Sequence, residues 1–124
     1  MSFETFTLLE NITVASAYGR DYNPSLDADA VFYSGKSRGA GYYKNSDGLH
    51  TILFNTEGFV GTITIQATLE LHPGNADWFD VHTEVFALDS SNSNRVANIT
   101  GKFVFIRAVY SIEDGEIITI RYNC

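Results

Sequence analysis

Two aspartates flank an aromatic pair in Asp77-Trp78-Phe79-Asp80, and a histidine stands on either side, at His72 and His82. Carboxylate oxygens and imidazole nitrogens are the donors that a hard or borderline cation takes, and paired carboxylates can divide acid and base roles in glycoside hydrolysis. Neither chemistry is well specified. The spacing matches no calcium-loop pattern, there is no His-x-x-x-His pair, and no third close carboxylate completes a ligand set. Nothing marks one aspartate as desolvated. A solvated turn is the reading these residues support, with no metal, cofactor or catalytic group assigned. Other routes to catalysis lack their motifs as well: no Gly-x-Ser-x-Gly elbow and no glycine-rich phosphate loop between a strand and a helix. The expectation is a chain that is not an enzyme.

Trp78 has parity opposite to Phe79 and Val81. It either seals the edge of a β core or stays partly exposed as a stacking platform for a sugar ring, with Asp77 and Asp80 supplying polar contacts. Arg107 interrupts an otherwise apolar run, Lys102 to Tyr110, and a charge there must be paired or must reach the surface along its stem. A structural ion pair is expected, or a place at a subunit interface, with Glu70, Asp80 or Glu84 as partners.

The elements that would position these groups are strands. From 62 to 71, Thr62, Thr64, Gln66, Thr68 and Glu70 alternate with Ile63, Ile65, Ala67, Leu69 and Leu71, the pattern of a half-buried strand. His72-Pro73-Gly74-Asn75 ends it, because proline cannot donate to a ladder and Gly-Asn favours a turn. Trp78 to Phe86 then returns as the second arm of a hairpin. Lys102 to Tyr110 reads as a central strand covered on both faces, and Asp114-Gly115 as a hairpin turn leading into Ile117 to Tyr122. Thr51 to Asn55, Phe6 to Leu9 and Ala30 to Tyr33 complete a set of about seven to nine short strands with no helical stripe. The fold class expected is all-β, a single antiparallel β-sandwich, jelly-roll-like or immunoglobulin-like. Its inward set is Ile63, Ile65, Leu69, Phe79, Val81, Val104, Ile106, Ile118 and Ile120.

Residues 1–124 make one domain, long enough to bury a core. A net charge of −7 without any basic run excludes nucleic acid and anionic membrane as natural partners. No apolar stretch nears the roughly eighteen residues of a spanning helix, and the N-terminus shows no leader, so a soluble chain starting near Met1 is expected. The one cysteine, Cys124, allows no intrachain disulfide and suits a reducing cytoplasm.

Residues 15–48 differ in composition, crowded with Gly, Ser, Asp and five of the seven tyrosines: Tyr18, Tyr22, Tyr33, Tyr42 and Tyr43. The stretch is too rich in turns for a core element and too aromatic for a solvated linker. Its tyrosines either tuck over the core edge or form a contact surface, a use that suits a side chain burying much area at little rotamer cost. Together with exposed strand edges they imply a closed homo-oligomer, a trimer first, or a surface for another protein.

The succession "YYKNSDGLHTILF", "GFVGTITIQATLEL", a proline turn, "DWFDV", "GKFVFIRAVYS" and "GEIITIRYN" resembles small β-sandwich virion structural proteins of tailed bacteriophages, of the contractile-tailed type of marine cyanophages. The likeness covers roughly 42 to 123 and rests on core and turn features. It implies a non-enzymatic, oligomeric component of head, neck or tail, made in the host cytoplasm and resident in the virion, with itself and other virion proteins as partners. A carbohydrate-binding module with an exposed aromatic platform is the alternative, with glycans as ligands.

Overall fold

The computed structural model describes residues 5–20, 22–27, 30–39, 48–86 and 92–123. In chain order these form β1 (Thr5–Thr13), α1 (Val14–Tyr18), α2 (Pro24–Asp27), β2 (Phe32–Tyr33), β3 (Ser37–Arg38), β4 (Leu49–Thr68), β5 (Phe79–Phe86), β6 (Asn92–Thr100) and β7 (Phe105–Asn123), with a short 3-10 turn at Asn75–Asp77. The chain is all-β and antiparallel. Hydrogen bonding draws its seven strands into one sheet, where a jelly-roll-like or immunoglobulin-like sandwich would have two.

Two long strands organise that sheet. β4 and β7 pair along their whole lengths, from Thr51 opposite Asn123 to Thr68 opposite Phe105. β1 lies against the second half of β7, and β2 and β3 against its first half. On the other side of β4, β6 and β5 lie end to end, with Glu57 opposite Asn92 and Gly61 opposite Phe86.

Seventeen residues separate Phe105 from Tyr122, so an extended strand would hold them about 55 Å apart. Yet the Tyr122 hydroxyl donates to the carbonyl of Arg38, the register partner of Phe105, at 2.5 Å. Likewise the His50 ring, at the start of β4, lies 5.7 Å from that of Phe103, beside the end of β4. The sheet is therefore doubled over, and its two halves enclose the core between them. Ile52, Phe54, Ile63, Ile65, Ile106, Ile112, Ile117 and Ile120 are fully buried there.

Glycine makes the fold-over possible. Register shifts in β4 fall between 55 and 61, and the two strands cross closely where they turn. Gly61 (φ +152°) and Gly115 (φ +74°) take conformations that side chains rarely adopt. A Cβ on Gly61 would fall on the Ser111 carbonyl oxygen, and one on Gly115 on the Gly58 carbonyl. The Asp114-Gly115 pair is thus a bend inside one strand rather than the hairpin turn its sequence suggests. A left-handed glycine serves both purposes, and β4 running alongside on both sides of the bend decides between them.

A second irregularity reverses a strand face. Ile65 pairs with His82 but Gln66 pairs with Asp80, so Val81 is the extra residue of a bulge. Beyond it His82, Glu84 and Phe86 turn toward the interior and Val85 turns out, the reverse of simple alternation. Among the inward set, Ile63, Ile65, Ile106 and Ile120 are fully buried, and Val81, Val104 and Ile118 are half-buried. Leu69 is exposed because β4 ends at Thr68. Phe79 is exposed at the rim, its ring edge-on to Phe103 at 5.8 Å. The run 102–110 is covered on one face only: Ile106, Ala108 and Tyr110 are buried, while Arg107 and Val109 lie half-exposed on the outer side.

Candidate functional site

The outer face of the half built from β2, the start of β7, the end of β4 and β5 carries a connected set of polar, charged and aromatic side chains. In register, Arg107 lies opposite Gln66 and Gln66 opposite Asp80, one row across three strands. Arg107 Nε donates to Gln66 Oε1 at 2.8 Å, and Gln66 Nε2 donates to Asp80 Oδ1 at 2.8 Å. The Arg107 guanidinium also lies 4.3 Å from the ring of Trp78 and 4.7 Å from that of Tyr33. Cation–π attraction to both rings holds the planar group in place. Beside the row, the hydroxyls of Thr64 and Thr83 are 3.3 Å apart.

Trp78 and Asp80 are thus brought together with Tyr33, and Arg107 and Gln66 join them. Trp78 stands on the outer side of the sheet over Arg107, not across the core, so sealing the core is not its role. Asp77 is turned away from the group: its Oδ2 accepts the Gly74 N–H at 2.7 Å and caps the 3-10 turn. Arg107 bonds to Gln66 in place of the ion pair expected with Glu70, Asp80 or Glu84. The Arg107–Gln66 pairing went unread because register between 66 and 107 is set by the whole β4–β7 ladder; their shared outward parity was the one available signal.

Of the other tyrosines, Tyr18 sits on α1, which Thr13 opens with a capping box to Ser16 and Gly19 closes in a left-handed turn. Its hydroxyl donates to the Ile112 carbonyl at 3.1 Å, and its ring meets Phe32 edge-on and Tyr22 at a tilt. Tyr18 and Tyr22 therefore lie together over the edge of the core. Tyr33 is 57% exposed. Tyr42, Tyr43 and Cys124 lie outside the described residues.

The histidines do not converge with the aspartates. His72 is exposed in the β4–β5 connection, and among the described residues no group of three or more His, Cys, Asp or Glu side chains could hold a metal ion. His82 Nε2 lies 2.7 Å from Glu84 Oε1, and Arg95 Nη1 donates to Glu84 Oε2 at 3.1 Å and to the Val85 carbonyl at 2.8 Å. Arg95 also covers the Phe86 ring at 4.1 Å. This cluster ties β6 to β5 where the two halves of the sheet meet. Burial alone would raise the Glu84 pKa, but the hydrogen bonds and charges of His82 and Arg95 outweigh it and hold the carboxyl below its ordinary value.

A carboxyl with a depressed folded-state pKa contributes stability above its unfolded pKa and loses it as pH falls through the folded value. Glu84→Gln should therefore lower stability at neutral pH by about 0.5–1 kcal/mol, the range for a partly exposed pair. Below the acid limb the variant and the parent should melt together. Thermal melts from neutral pH down to the acid range check this, and a gap that persists unchanged at low pH would refute it.

The opposite half presents a plainer outer face. Thr5 Oγ1 donates to Asn123 Oδ1 at 2.6 Å and Thr51 Oγ1 to Asn98 Oδ1 at 2.8 Å. An open depression of about 260 Å³ lies there between Thr51, Leu53 and Arg121. No protein-family model matches the chain, and no curated protein matches it at a significant level.

Proposed function

We propose that this chain is a non-enzymatic structural subunit of a tailed-phage virion, a decoration, neck or tail-associated protein working through contacts with its own copies and with other virion proteins. The observation that carries the assembly reading is the edge formed by β5 and β6. No described strand pairs with its outer side, and Val85 and Val96 stand on it 64% and 61% exposed. Unpaired backbone with apolar side chains beside it is what proteins otherwise blunt with charge or cover with a partner. Leu69 and Leu71 add apolar surface near one end. The virion context comes from the sequence resemblance, and a closed oligomer, a trimer first, would satisfy such edges without open-ended growth.

Light scattering should then give an oligomer. Val85→Lys combined with Val96→Lys should convert it to monomer with the circular dichroism spectrum unchanged, since both side chains already face solvent. Particle purification provides the second arm. A parent protein that stays monomeric at high concentration and is absent from purified particles would sink the reading.

A further inference from the structure

The row on the outer face has unspent hydrogen-bonding capacity, and its chemistry differs from that of the apolar edge. Among the described residues Arg107 hydrogen-bonds only through Nε, so both terminal nitrogens remain; Asp80 keeps its second oxygen, and the Tyr33 hydroxyl and Trp78 indole N–H meet no partner there. A fixed guanidinium and a fixed carboxylate, each held by Gln66, therefore face solvent with two aromatic rings over the guanidinium.

We infer that Tyr33, Gln66, Trp78, Asp80 and Arg107 form a binding site for a neutral saccharide. Sugar hydroxyls both donate and accept, so one can give its proton to Asp80 while another accepts from Arg107, each a charge-assisted bond of the stronger kind. The apolar C–H face of a hexose ring packs on the negative face of an aromatic ring, and Tyr33, more than half exposed, leaves ring surface open beside the guanidinium. Asp80 and Arg107 stand two strand spacings apart, on the order of 10 Å, a span for two sugar residues rather than one. The neighbouring hydroxyls of Thr64 and Thr83 keep the surround polar. Carboxylate and guanidinium cancel within the site, and the chain's net charge of −7 disfavours an acidic sugar. This site does not depend on the assembly reading: Val96 lies on the outer face of the other half, and Val85, on the same face as the site, stands opposite Thr62, four residues along β4 from Gln66.

Trp78 is the only tryptophan, so its emission reports on this site alone. Titration of the full chain with maltopentaose, mannopentaose and chitopentaose should give a saturable emission change with at least one of them. Asp80→Ala and Arg107→Gln should each weaken that binding about tenfold or more, the scale of losing one bond to a charged group. Arg121→Gln, on the opposite half's outer face, should leave it unchanged. Where a variant loses its fold, the shift of the Gln66 side-chain amide resonance in the parent protein on adding the same sugar decides instead. Absence of any saturable change with the neutral oligosaccharides would overturn the inference. So would a change set by protein concentration alone, which would make the surface a protein contact.

Discussion

Alanine at Gly61 or at Gly115 should cost at least about 3 kcal/mol, a large share of the roughly 5–15 kcal/mol that holds an ordinary domain folded. The left-handed or extended positive-φ backbone accounts for about 1 kcal/mol of this through strain on any side chain. The larger part is collision. At Gly61 the new methyl would occupy the position of the Ser111 carbonyl oxygen, and at Gly115 that of the Gly58 carbonyl, so the obstacle is ladder backbone and not a side chain that could swing aside. Relief requires β4 and β7 to separate where the sheet doubles over. Gly58 is the internal control: it too has positive φ, at +59°, but a Cβ there meets nothing, so Gly58→Ala should cost only the strain. Urea midpoints for the three variants test the account. Equal losses at 58, 61 and 115 would show that backbone strain, not crossing, governs the bend.

Phe54→Ala should cost about 3–5 kcal/mol, the range for removing a large aromatic from a packed interior. Phe54 is fully buried in the first half of β4, yet its ring lies 6.1 Å from that of His82 on β5, in the other half of the sheet. Truncation would empty the space between the halves and loosen the support under the His82–Glu84–Arg95 cluster. Phe54→Leu keeps most of the volume and should recover most of the stability. Denaturant titration of both variants distinguishes filling from ring chemistry: if leucine is as damaging as alanine, packing between the halves is not what Phe54 provides.

Alternation was legible from Thr62 to Ala67 because period-two burial is a local property, and those residues do alternate as expected; beyond them Thr68 is buried and Leu69 and Leu71 are exposed, because β4 ends at Thr68. The antiparallel pairing of β4 with β5 followed from the proline turn between them. What stayed illegible was non-local. Asp114-Gly115 specifies a left-handed residue, but whether the chain reverses or merely bends there depends on the strand beside it. Val81 illustrates a smaller loss: one bulged residue reversed the facing of His82, Glu84 and Val85, moving a histidine and a glutamate inward and a valine out. At the candidate site, the outward parity of Trp78 and its company with Asp80 were readable. Tyr33, Gln66 and Arg107 come from three separated stretches, and only strand register places them together.

The sharing of β4 and β7 between both halves of the sheet also sets how the chain must fold. Each half is built on its own segment of the same two strands and buries its inner face against the other, and β1 finds its partner at the far end of the chain, Thr5 against Asn123. Loop closure must therefore be met before most contacts reward it, which places folding on the order of milliseconds to seconds rather than microseconds. Until the two halves close on one another, the apolar strands destined for the interior remain open to neighbouring chains.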